Sequence, residues 1–438
     1  MRSLVCLALC LPALAAAEGQ KLTLEQVMER ALVGPKARMA EGDRDAAAAR
    51  IDEADAARFP RVKATAFATV SPEITCENPE CTVTGPQNFA FRFSGIYGGG
   101  NIELTQPLYT FGKIAHARTA ARAGLEAQKA LANETAGDLA VDAARAYWGI
   151  KVARELGYML DDGMDELAKA LERMRDTPDY TIQDRQRIAV LLAEVKVQRA
   201  DAKMAEQQAL AGLRALLGST DADIDDSELA SVERPLPNVI EASGRPQALA
   251  ARAGAKAADE LAAFQRSYYF PDLALVGSAW FARASGADDP PSVYANDPFN
   301  REGLGLVLAL QWNVEPWTVK ARVERARAEA AKARAQSELA TIGASYDAQN
   351  ALAEATASSE KVAAAAEGEK SGRAWLASVL QAEAIGVVES RDLADAYIAW
   401  FQIRGRWAQA VFQWNVAVVR LDRATGEFHA RGTRPKEK

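Results

Sequence analysis

Two patterns of hydrophobic and polar positions recur along this chain. Leu304, Leu306, Leu308, Leu310 and Trp312 alternate with Gly305, Val307, Ala309, Gln311 and Asn313. Successive strand residues face opposite sides, so this spacing predicts a strand with one apolar wall and one narrow, mild wall. After Pro316 the period changes. Trp317 to Ala335 is Ala-rich with interspersed Lys, Arg and Glu, which predicts a helix whose opening proline has no helical bond to lose. The same device stands earlier. Ile102, Leu104, Gln106 and Leu108 alternate, Tyr109-Thr110-Phe111-Gly112 closes the strand, and an Ala-rich helix opens at Lys113.

Taken in order, Leu22 to Arg58 predicts helix, with Thr23 as N-cap and an interruption at Gly34-Pro35. Phe59-Pro60 opens a strand in which Val62, Ala64, Ala66, Ala68 and Val70 alternate with Lys63, Thr65, Phe67 and Thr69. A second strand, from about Gly98 to Tyr109, returns the chain. A helix from about Gly112 to Asp176 would be roughly 98 Å long at 1.5 Å per residue. After a turn at Thr177 to Tyr180, Ile182 to Leu217 carries a heptad seam through Ile188, Leu191, Val195, Gln198, Ala202, Ala205 and Ala209.

The cycle then restarts. Gln247 to Ser267 predicts helix, Phe270-Pro271 opens a strand through Leu273, Leu275, Gly277, Ala279 and Phe281, and the Leu304 strand feeds a helix reaching Glu383. The last helix, Asp392 to Ala424, steps four and three through Leu393, Tyr397, Trp400, Arg404, Trp407, Val411, Trp414, Val418 and Leu421. Asp184 and Asp392, like Gly218 and Gly426, stand about 208 residues apart, too long a period for a solenoid. The expected organisation is a first repeat over 18–218, an irregular crossover over 219–246, a second repeat over 247–426 and a disordered tail over 427–438.

Composition narrows the classes. Residues 1–17 read as a secretory signal, with Arg2, an apolar Leu4 to Leu14 and Ala15-Ala16-Ala17 before Glu18. The formal charge of −7 argues against a nucleic-acid partner. No later run reaches the ~20 apolar residues of a membrane helix, so any crossing is by strands. In an exported chain, Cys76 and Cys81, the remaining cysteine pair, predict a disulfide. His116 and His429 have no ligand neighbours in sequence and read as solvated. No nucleophile motif, metal set or phosphate cradle appears, so neither an enzyme nor a cofactor is expected.

Four strands in two hairpins cannot close a useful barrel, and open edges are not tolerated in lipid, so a membrane role requires strands pooled from several chains. Tyr268, Tyr269, Phe270, Trp312, Trp317, Tyr109 and Phe111 sit at strand ends, where an interfacial girdle would lie. The alternative is a periplasmic adaptor or structural coiled-coil protein that never enters lipid.

The whole mature chain resembles the TolC-like outer-membrane efflux proteins. The likeness rests on Phe59-Pro60 and Phe270-Pro271, on Thr105-Gln106-Pro107-Leu108-Tyr109-Thr110-Phe111-Gly112, and on Asp392-Leu393-Ala394-Asp395-Ala396 with Arg420-Leu421-Asp422-Arg423-Ala424-Thr425-Gly426. It implies a membrane α/β-barrel: a homotrimer whose four strands per chain make a twelve-stranded β-barrel, continued by a long periplasmic α-helical barrel of coiled-coil hairpins. Such a duct lies in the outer membrane of a Gram-negative bacterium and works in tripartite efflux or type I secretion. Its partners are a periplasmic adaptor and an inner-membrane transporter of RND or ABC type.

The resemblance further implies adaptor contact at the tip turns, Thr177, Pro178, Asp179, Gly386, Val387 and Val388, and a periplasmic gate at Asp392 and Asp395 with Asp184 as the first-repeat equivalent. Acids in a first helical turn also simply complement the helix dipole, and both readings stay open. Arg391 is expected on another face.

Overall fold

The protein is described by a computed structural model over residues 21–73, 92–176, 180–237, 240, 244–287, 299–384 and 389–426. In chain order the elements are β1 (Lys21–Leu22), α1 (Leu24–Ala31), α2 (Pro35–Ala56), β2 (Arg61–Pro72), β3 (Phe93–Tyr109), α3 (Lys113–Asp176), α4 (Ile182–Leu217), β4 (Asp223–Ile224), α5 (Pro246–Ser267), β5 (Asp272–Ala284), β6 (Arg301–Gln311), α6 (Pro316–Ala384) and α7 (Ser390–Thr425). The repeat is kept to the residue in α4 and α7. Each has 36 residues and ends on a left-handed glycine, Gly218 at φ 66° and Gly426 at φ 78°.

Two compact units form. One comprises Arg44–Gln128 and Ala250–Glu338. It holds a single antiparallel sheet of order β2-β3-β5-β6, not two separate hairpins, because β3 also pairs with β5. Opposed residues of an antiparallel pair share a face. Register therefore puts Val62 beside Leu104, Leu104 beside Gly277 and Gly277 beside Leu306. The next row on that face is Ala64, Ile102, Ala279 and Leu304. The other face carries Lys63, Glu103, Ser278 and Gly305, then Thr65, Asn101, Trp280 and Gly303.

Two expectations shift. β3 starts at Phe93 rather than Gly98, because the chain stays paired as far as Pro72 opposite Phe93. The alternation expected through Leu108 ends at Gln106: a register shift between Pro107 and Tyr109 sets Tyr109, not Leu108, opposite Leu273. The Gln106 amide donates to the carbonyls of Arg58 and Pro107, both at 2.8 Å, tying the strand to the preceding helix–strand joint. Gly112, at φ 90°, then turns the chain into α3.

The other unit comprises Met1–Asp43, Lys129–Leu249 and Leu339–Lys438. Its helices pack through seams the sequence marks: Ile188, Leu191, Val195 and Ala202 of α4 lie buried with Leu393 and Tyr397 of α7. Glycine admits close approach between helices, most tightly at Gly163 and Gly368. A Cβ on Gly163 would come 2.3 Å from the Phe401 ring, and one on Gly368 would come 2.7 Å from Ile403.

The crossover, irregular apart from the short β4, is held to the helices at several points. Its β4 pairs in parallel with β1, seating Leu22 and Ile224 in the core. Asn415 of α7 accepts from Val232 N at 2.8 Å and donates to Ala230 O at 2.9 Å, and the Trp414 indole donates to Val232 O at 2.7 Å. Lys151 of α3 is almost fully buried. It donates to Asp225 O at 2.9 Å and lies 3.3 Å from the Asp225 carboxylate, which also accepts from the Tyr147 hydroxyl at 2.6 Å.

Burial raises the Asp225 carboxyl, but the hydrogen bonds from Tyr147, Ser227 and Lys151 outweigh it, so it sits below the ordinary value of 3.8. A depressed carboxyl stabilises the fold above its unfolded value and ceases to do so as pH falls through its folded one. Acid should therefore loosen residues 223–232 before it melts the helices, seen as lower amide protection there, relative to the intrinsic exchange rate, below about pH 4. Lys151→Met, which leaves Asp225 without its cation, should cost about 3 kcal/mol in urea unfolding followed by circular dichroism.

Candidate functional site

Two places carry chemistry, one in each unit. In the sheet, the apolar wall is bare within the chain. Leu304 is 87% exposed and Leu306 71%, with Leu308, Leu310, Val62 and Ile102 also exposed. Burying one such side chain is worth about 1.5–3 kcal/mol, so a wall of them in water would forgo an amount comparable to the ~5–15 kcal/mol of a domain's whole stability. The wall is built for a surrounding other than water. Among the described residues β2 and β6 each pair on one side only, leaving two open backbone edges.

At the helical end of the sheet, Tyr109 and Phe111 meet edge-to-face at 4.7 Å between ring centres, and Phe111 stacks on Phe270 at 5.6 Å. Lys113 pairs with Asp272 at 2.8 Å and lies over the Tyr268 ring at 5.0 Å. His116, expected to be solvated, instead bonds Glu260 of α5 at 2.8 Å. The sequence hides this pair because its members lie in different helices.

The second place is the start of α4 and of α7, two helices in contact. Asp392 and Asp395 are exposed in the first turns of α7, while the intervening Leu393 and Ala394 are buried. The Asp392 carboxylate accepts no hydrogen bond among the described residues. Asp395 lies 3.8 Å from Arg391, which therefore shares its face, a correction that i,i+4 geometry explains. Asp184 is engaged differently. Its carboxylate accepts from Thr181 N at 2.9 Å and from the Thr181 hydroxyl at 2.6 Å, while the hydroxyl accepts from Asp184 N, completing a capping box. Glu389, the N-cap of α7, makes no side-chain cap bond. Thr177, Pro178, Asp179, Gly386, Val387, Val388, Cys76, Cys81 and His429 lie outside the described residues.

Sequence reading missed the ion networks between helices. Arg404 of α7 pairs with Glu155 of α3 and, at 2.9 Å, with Glu369 of α6, and lies over the Trp407 ring at 4.2 Å. Arg423 holds Glu134 and Asp138 at 2.6 and 2.7 Å, and the buried Arg245 holds Asp347 at 2.6 Å. Arg404 stands among the positions of the α7 seam. A charged residue at a seam position was the available signal. Among the described residues no cluster of His, Cys, Asp or Glu could hold a metal, and no helix is long and apolar enough to cross a membrane.

The family model for outer membrane efflux proteins matches residues 34–219 and 241–427, two stretches at the spacing of the sequence repeat. The Campylobacter jejuni outer membrane channel CmeC has the same fold, with TM-score 0.76 at 16% identity over 92% of this chain and 85% of that one. The Neisseria gonorrhoeae outer membrane channel MtrE matches with TM-score 0.75 at 19% identity over 92% and 88%, and the Vibrio cholerae outer membrane protein VceC with 0.73 at 17% over 92% and 96%. Among curated proteins none matches.

The unequal caps are testable. Thr181→Ala removes the hydroxyl of the capping box and should cost about 1 kcal/mol, seen as faster amide exchange in the first turn of α4. Asp392→Asn should leave exchange in α7 within about two-fold of wild type, since its carboxylate caps nothing.

Proposed function

The chain belongs to the outer membrane efflux protein family, and from that membership we propose that it is the passive exit duct of a tripartite efflux or type I secretion system. It is an outer-membrane channel, not an enzyme, with its helices extending into the periplasm. The observation that carries the assembly is the four-stranded sheet, apolar across one face and open at both edges. Hydrocarbon offers no water to satisfy an open edge, so β6 of one copy pairs with β2 of the next. Three copies close a twelve-stranded barrel with the leucine wall to lipid and the Lys63–Glu103 wall to the lumen.

The helices prolong this tube as an α-barrel. A periplasmic adaptor meets the tips at Thr177, Pro178, Asp179, Gly386, Val387 and Val388, and joins the duct to an RND- or ABC-type transporter of the inner membrane. At the entrance, Asp392 and Asp395 from three copies form a cation-favouring ring, moderated by Arg391 beside each Asp395. Asp184, occupied in capping, supports its helix and is secondary at the ring. A periplasmic adaptor or purely structural role is not favoured, because neither uses an exposed leucine wall.

Extraction from membranes should require detergent, and the purified protein should have the mass of three chains and form pores in planar bilayers. A water-soluble monomer without surfactant would overturn the assembly. Within one strand, Leu306→Arg should destabilise insertion into vesicles by about 2–4 kcal/mol, whereas Val307→Arg on the lumen wall should fold normally. Asp392→Ala with Asp395→Ala should lower the cation-to-anion permeability ratio at least about two-fold, and Arg391→Gln should raise it.

A further inference from the structure

On the polar wall of the sheet, at the end away from the helices, stands a group of rings that neither the lipid face nor the helix joint uses. Phe67 meets Tyr97 edge-to-face at 5.1 Å, and Tyr97 meets Phe299 at 5.5 Å. Trp280, on the same wall, packs on no other ring among the described residues. Its indole lies flat on the β6 backbone: a Cβ on Gly303 would come 2.3 Å from Cζ2 and 2.5 Å from Cε2, and one on Gly305 would reach Cζ3 at 3.9 Å. One face of the ring is thus covered by glycine, and the side chain remains 40% exposed.

The row beside it runs Phe67, Gly99, Ala282, Arg301 from β2 to β6. Gly99 admits no side chain, since its Cβ would lie 2.4 Å from Phe281 O. Two minimal residues therefore floor a trough with rings at one end, a guanidinium at the other and an open indole along its side. Arg301 stands two residues before Gly303 on the same wall, one row from Trp280. The nearby charges, Lys63 and Arg301 against Glu103, favour an anion.

We propose that this trough is a transient binding site for planar aromatic anions, which stack on Trp280 and set their carboxylate at Arg301. The site rests on the duct reading, which turns this wall to the lumen, and three copies ring the outer mouth. Its occupant is a passing solute, held by a ring contact and a charge contact that water on an all-polar wall would not offer.

The test uses the reconstituted full-length protein in planar bilayers, with 2-naphthoate as probe and decahydro-2-naphthoate as its saturated control. Wild type should show current interruptions with naphthoate and few with the saturated acid. Trp280→Ala should shorten the mean interruption about 3- to 10-fold at unchanged salt conductance. Gly303→Ala, which displaces the indole without deleting it, should do the same. Arg301→Gln should weaken the block by naphthoate but not that by neutral 2-naphthol. Equal block by both acids, or unchanged interruptions in Trp280→Ala and Gly303→Ala pores of normal conductance, overturns the site and leaves the duct standing. A wild-type protein that conducts no salt at all overturns both.

Discussion

Everything in this molecule answers to the backbone N–H and C=O groups of two strand edges. A strand in hydrocarbon has no water for those groups, and each one left unmatched costs several kcal/mol. Four strands satisfy three interfaces and leave the outer sides of β2 and β6 bare. Soluble proteins blunt such edges with Pro, Lys or a covering helix. Here the centre of β6 is Leu304 to Leu310, without a charge or a proline. In the proposed assembly the next copy joins this edge, and the leucine wall faces lipid.

The helices solve a related problem by other means. Each must touch neighbours on two sides, which forbids bulk and favours Ala-rich sequence with glycine at the tightest crossings, Gly163 under Phe401 and Gly368 under Ile403. Small interfaces bury little area, and specificity then comes from charge. Arg404, Arg423 and Arg245 each clamp carboxylates from other helices, and Lys151 and Asn415 pin the crossover from two sides. Partly buried pairs of this kind add modest net stability, because desolvation offsets much of their attraction.

Much of this was legible in the chain. The bounds of α4 could be read because Thr181 and Gly218 punctuate it, and the faces of the sheet because side chains alternate strictly along a strand. The pairing of β3 with β5 was not legible: it joins segments separated by the whole first helical hairpin, and no local signal records it. The shift at Pro107 hid for a similar reason, since a bulge is defined by the partner strand. Of the acids at the candidate gate, the first-turn position was visible for Asp184 and Asp392, with Asp395 one turn further on. What separates them is Thr181, present before Asp184, where Glu389 precedes Asp392. Arg391 and Asp395 could have been paired from spacing alone.

The two halves match to the residue in α4 and α7, yet they diverge where the helices leave the sheet. α3 has 64 residues and leaves through the left-handed turn at Gly112, whereas α6 has 69 and starts on Pro316. A ring of three such chains carries six hairpins of two alternating kinds. In the proposed assembly the rotational order is three, and the apparent sixfold likeness is broken at every step. Any oligomer that mates with it end-on meets inequivalent neighbours, so even six copies of one partner must sit in two distinct environments.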